Sequence, residues 1–133
     1  MNTIGTMHIE INKTKRSRLS EIDQKNLGFG IFFSDHIFVA EYTKKQWNNF
    51  KIIPYGKLEI SPALSAIHYG QSIFEGMKAY RYDNGDVYLF RPLDNFKRMN
   101  VASERMAMPL LPEEMFMEGL SQLIRTDKNW VPT

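Results

Sequence analysis

The chain has 133 residues, 43% of them hydrophobic and 13% aromatic, which is enough apolar material for one cored domain and excludes a disordered protein. Seventeen basic against 15 acidic residues leave a net charge of +2, too small to mark the chain for nucleic acid or an anionic membrane. There are no cysteines, which excludes a disulfide framework or a thiolate metal site and suits a reducing cytoplasm, the expected location.

Residues 1–28 read as a polar, mixed segment. Lys13, Lys15, Arg16 and Arg18 form a short basic run, and a solvated segment is the ordinary reading of it, with a nucleic-acid arm as the rival. Leu27-Gly28-Phe29-Gly30 punctuates the chain, and its two glycines predict a turn or a close backbone approach. No stretch approaches the roughly 18 apolar residues of a membrane span, and the N-terminus lacks the apolar centre of a secretory signal.

Asp35 to Thr43 reads as a strand rich in β-formers. Lys44 to Asn49 is polar and turn-like, and Phe50 to Ile53 is a second strand ended by Pro54. Tyr55 to Ile60 stays extended and Ala63 to Tyr69 is a short connection, so the spacing predicts an antiparallel meander. Phe74 to Tyr82 alternates as a strand, with Phe74, Gly76, Lys78, Tyr80 and Tyr82 on one face and Glu75, Met77, Ala79 and Arg81 on the other. Asn84-Gly85 predicts a type I′ hairpin turn, and Val87 to Phe90 returns as the partner strand. Arg91, ahead of Pro92, is expected to be extended.

A first helix is predicted from about Pro92, capped by Asp94 or Asn95 and closed by Pro109. Its apolar stripe is Phe96, Met99, Ala102 and Met106, beside a more polar stripe of Asn95, Arg98, Ala102 and Arg105. A second helix begins at Pro112, with Glu113 and Glu114 at the positive end of its dipole and Phe116, Leu120, Leu123 and Ile124 facing inward. The expected class is α+β: an antiparallel sheet of hairpins or a meander, with two helices laid on it. The run Asn129 to Thr133, directly after a helix pattern, reads as a linker, so the chain is expected to be one piece of a longer protein.

Five motifs carry a resemblance: His68-Tyr69-Gly70-Gln71, Phe74-Glu75-Gly76-Met77-Lys78-Ala79-Tyr80, Phe90-Arg91-Pro92, Asn95 with Arg98-Met99, and Trp130-Val131-Pro132. In order and spacing they resemble the branched-chain amino-acid aminotransferases, pyridoxal-phosphate enzymes of fold type IV. The resemblance runs from about Phe29 to the last residue. It implies that residues 29–133 are the N-terminal small domain of such an enzyme. It also implies transfer of the amino group of leucine, isoleucine or valine to 2-oxoglutarate, and a homodimer.

For single residues the two lines of reasoning differ. Pattern alone makes Arg98 a solvated arginine in the first turns of a helix, although a guanidinium and helical N–H groups together bind phosphate well. The resemblance makes it the arginine that holds the phosphate of pyridoxal phosphate. Phe29 and Phe74 look like ordinary core aromatics. The resemblance makes them the apolar wall for the branched side chain, and makes Tyr69 a residue that reaches into the neighbouring subunit's pocket.

Lys78 shares a strand face with Phe74 and Tyr80 but reads as solvated, and no position here matches the lysine that carries the cofactor in the family. That lysine is expected in a larger domain outside these residues. His8, His36 and His68, with no cysteine and no H-E-x-x-H pattern, predict no zinc site, and His68 is expected to make a structural hydrogen bond. Glu75 is expected to pair with a base such as Arg81. Two rival functions stand beside the main one. One is a fold type IV relative acting on D-amino acids or aminodeoxychorismate; the other is a non-enzymatic binding module.

Overall fold

In the computed structural model, residues 7–24 and 26–132 are described. The fold is built on one hairpin, β2 (His36–Thr43) against β3 (Gln46–Pro54), paired antiparallel from His36 opposite Pro54 to Thr43 opposite Gln46. The chain reverses on Lys44 and Lys45 alone, both left-handed with φ of 51° and 64°. This corrects the longer turn expected through Asn49. A two-residue turn of this hand matches the strand twist, and seven residue pairs between β2 and β3 offset the strain in two lysines. The register shifts between Val39 and Glu41 on β2, opposite Asn49, whose φ of 53° is one that asparagine tolerates.

The polar N-terminal segment is not merely solvated. Glu10–Ile11 forms β1 and pairs in parallel with Lys51 and Ile52 of β3, giving the order β1-β3-β2. A 3-10 turn follows at Leu19–Glu21. Two residues of the basic run are tied down: Arg16 pairs with Glu21 at 2.8 Å, and Arg18 donates through Nη2 to the carbonyls of Phe33 and Ser34 at 3.1 Å.

Of the expected hairpin or meander arrangements, the chain takes the hairpin one, in two separate sheets. The stretch from Ala63 to Tyr69 contains a short helix, α1 (Ser65–Tyr69), stopped by Gly70 in the left-handed region. The second hairpin, β4 (Ala79–Arg81) with β5 (Val87–Leu89), is a separate two-stranded sheet. Inner and outer positions alternate from Ile73 through Tyr82 as predicted, but only Ala79–Arg81 is paired. Its turn is not type I′: of Asn84 and Gly85 only Gly85 has positive φ, and Tyr82 and Asp86 close a three-residue loop around it.

The helices α2 (Pro92–Arg105) and α3 (Glu113–Thr126) lie close to their predicted bounds. Arg91, not Asp94 or Asn95, occupies the N-cap of α2. Its φ of 50° and ψ of 49° depart from the extended geometry expected before proline. A carboxylate one turn on, Asp94, holds the Arg91 side chain at 2.5 Å. The class is α+β, with three α-helices rather than two among the described residues.

Helix α3 packs on β2, and α2 packs on α3 through Phe96 and Phe116, whose rings are 5.5 Å apart. The deepest residues of α3 are Met115 and Gly119, one turn apart, with the predicted stripe half-buried around them. Gly119 is required there: a Cβ at that position would stand 2.5 Å from Cε1 of Phe38. The core proper is small: Ile52 is fully buried, and Met115 and Val131 are buried as well. The residues after α3 pack rather than dangle, since Val131 is buried and the Arg81 N–H donates to the carbonyl of Pro132 at 3.3 Å. Among the described residues, no helix is long and apolar enough to cross a membrane.

Candidate functional site

Glu75 and Arg98 meet where the extended stretch before β4 crosses the first turns of α2. Alternation points Glu75 inward and Phe74 outward. On α2, Asn95 and Arg98 share one face because they are three residues apart. Nε of Arg98 donates to Oε2 of Glu75 at 2.8 Å, and Nη2 donates to Oε1, so the fork grips the carboxylate side-on through two bonds. Asn95 adds a bond from Nδ2 to Oε1 at 3.1 Å and another to the carbonyl of Gly76. The Gly76 N–H donates to Oε1 at 2.8 Å. Glu75 therefore pairs with Arg98, which corrects the expectation of Arg81 as its base.

The carboxylate is nearly covered while the arginine is open: the Glu75 side chain is 6% exposed and that of Arg98 70%. The Arg98 guanidinium, helped by Asn95 and the Gly76 N–H, holds the Glu75 carboxyl down to about 2, against the opposing pull of burial. In return the carboxylate strengthens Arg98's hold on its proton. Among the described residues Nη1 of Arg98 has no partner, so the end of the fork remains open to a second anion.

Phe29, Phe74 and Tyr69 do not belong to the core. They are 104%, 93% and 85% exposed, which removes the reading of Phe29 and Phe74 as core aromatics. Phe29 lies ahead of β2, Tyr69 is the last residue of α1, and Phe74 directly precedes Glu75 but faces away from it. Lys78 lines an open cavity with Tyr80, Leu123, Ile124 and Val131, whose walls do not include Arg98. His68 meets the carbonyl of Pro62 at 2.5 Å through Nε2, the structural bond expected of it. Among the described residues, no three of His, Asp or Glu converge as metal ligands. Sequence reasoning missed the anchoring role of Asn95; its spacing from Arg98 on the polar stripe was the available signal.

The chain is similar to a set of named enzymes over most of its length. A probable branched-chain-amino-acid aminotransferase of Staphylococcus epidermidis is 48% identical over 128 residues, covering 95% of this chain and 36% of that protein. This chain is similar to the N-terminal third of such enzymes. Branched-chain-amino-acid transaminase 1 of Bacillus subtilis is 50% identical over 111 residues, 83% of this chain and 31% of its own length. The branched-chain-amino-acid aminotransferase of Mycolicibacterium smegmatis is 46% identical over 108 residues, 80% of this chain and 29% of its own length. The chain spans about a third of the length of the curated relatives it matches. No family model matches the chain.

Proposed function

We propose that this chain supplies the phosphate grip and part of the apolar wall of a branched-chain aminotransferase. The enzyme would move the amino group of leucine, isoleucine or valine to 2-oxoglutarate with pyridoxal phosphate, as a cytoplasmic homodimer that binds neither nucleic acid nor membrane. The observation that carries this reading is Arg98. It stands at the surface, fixed along one edge by Glu75 and open along the other, and a phosphate takes two parallel N–H bonds from such an edge. The residues present therefore fit the phosphate end of the cofactor. When bound, pyridoxal phosphate supplies the electron sink that lets the substrate lose its α-proton.

The chain's own residues do the rest of what is assigned to it. Phe29 and Phe74 offer apolar surface with no polar group on their rings, so they favour an aliphatic side chain and leave a charged one without a partner. Tyr69 and the other exposed aromatics are surface that gains by being covered, which supports a second subunit. The lysine that carries the cofactor is contributed from outside these residues.

A chimera tests the reading. Residues 1–132 are joined to the remaining two thirds of the Bacillus subtilis relative, and transamination of leucine, isoleucine, valine and a D-amino acid is assayed. Turnover on the three branched substrates, lost in the Arg98→Ala chimera and restored by excess cofactor, is expected. A folded, dimeric chimera that prefers the D-amino acid, or whose cofactor requirement ignores Arg98, overturns it.

A further inference from the structure

We propose that Glu75 is a positioning residue, which fixes the guanidinium of Arg98 so that the Nη1–Nη2 edge faces outward to a phosphate. The inference rests on the phosphate-binding reading of Arg98 and adds the residue that aims it.

Three observations converge on Glu75. First, the bonds fall on one edge of the guanidinium, through Nε and Nη2, and leave the edge a phosphate would use. Second, the carboxylate is itself held by Asn95 and by the Gly76 N–H, so it is a fixed post rather than a mobile surface acid. Third, the exposures are opposite: a covered carboxylate grips an exposed arginine. In an ordinary surface ion pair both partners are wet and neither orients the other.

The opposing effect is charge. Glu75 neutralises Arg98 and repels an incoming dianion, so removing it raises local positive potential while freeing the side chain. Salt separates the two effects. At about 0.5 M salt the Debye length is roughly 4 Å, so the through-water charge effect is largely screened, whereas the cost of ordering a freed arginine is not.

The test is NMR of arginine Nε–H groups in the 133-residue chain, titrated with pyridoxal phosphate and, separately, with pyridoxal. In the parent chain, the Arg98 Nε–H signal should be slow to exchange and should respond to pyridoxal phosphate but not to pyridoxal. In Glu75→Gln the signal should exchange fast, because an amide turns one donor toward other donors. Affinity for pyridoxal phosphate at about 0.5 M salt should then fall roughly three- to tenfold, the cost of ordering one long side chain. Asn95→Ala, which keeps the charge and removes one anchor, should show a smaller loss of the same kind.

If Glu75→Gln binds as tightly as the parent at high salt while Arg98→Ala loses the phosphate response, Glu75 does not position Arg98 and only this inference fails. If Arg98→Ala responds to pyridoxal phosphate as the parent does, or the parent shows no response, the phosphate role of Arg98 fails as well.

Discussion

His36 and Asp127 join the start of the central hairpin to the end of the last helix. The His36 backbone N–H donates to Oδ2 of Asp127 at 2.9 Å, and ring Nδ1 meets Oδ1 at 2.6 Å. On the other side of the ring, the Thr14 N–H donates to Nε2 at 2.9 Å. An N–H has only a proton to offer, so Nε2 must keep its lone pair; the network assigns a neutral imidazole with the proton on Nδ1. One buried ring thus holds three segments far apart in sequence.

Asp127→Ala removes the acceptor for both His36 donors in a buried place. Loss of about 2–4 kcal/mol is expected, within the cost of leaving buried donors unpaired. A urea titration followed by tryptophan fluorescence measures it. A loss below about 0.5 kcal/mol, the usual size of a neutral surface change, would mean the clasp is dispensable.

Acid should loosen the Arg98 cluster. The Glu75 carboxyl lies at about 2 in the folded chain against an ordinary 4.5. A folded value below the unfolded one adds stability that is complete above pH 4.5 and is lost as pH falls toward 2. Asp35 acts in the same sense. Burial pushes its carboxyl up, but the Arg18 N–H, the Ser17 hydroxyl and the Trp130 indole N–H outweigh that and bring it below its usual value. Urea midpoints measured from about pH 5 to pH 2.5 should fall for the parent and fall less steeply for Glu75→Gln.

Helix α3 should not accept a methyl group at its closest approach to β2. Gly119→Ala gains about 1 kcal/mol of helix propensity but drives a Cβ into Phe38, and overpacking costs about 1–3 kcal/mol. Net destabilisation is expected, visible as a lower midpoint of thermal unfolding. Adding Phe38→Leu should return most of it; if the double variant is less stable than either single one, the clash is not the cause.

Phe74 separates folding from function. Because its ring is exposed, Phe74→Ala should change the stability of this chain by less than about 0.5 kcal/mol. In the chimera the same change should cost leucine at least about tenfold in kcat/KM, the worth of a lost apolar contact in a specificity pocket. Equal kcat/KM for both forms would remove Phe74 from the substrate wall.

The 133-residue chain by itself should show no transaminase turnover, since the proposed reading places the cofactor-bearing lysine outside these residues. Spectrophotometric assay with leucine and 2-oxoglutarate checks this, and Lys78→Ala separates any trace from that residue. Turnover that disappears with Lys78 would overturn the assignment of the lysine to another part of the protein.

Local pattern determined much of this protein. Helical spacing placed α2 and α3 to within a few residues, alternation separated the Glu75 face from the Phe74 face, and the order of short motifs pointed to the aminotransferases. These signals are legible because they depend on neighbours one to four residues away. The partner of Glu75 was decided only by the fold: Arg81 lies on the same strand face, but the crossing of α2 brings Arg98 to both carboxylate oxygens. The parallel pairing of β1 and the His36–Asp127 clasp were equally hidden. Each joins residues whose meeting depends on how distant segments close on one another, and the hydrogen bonds gained there outweigh what the local residue types prefer.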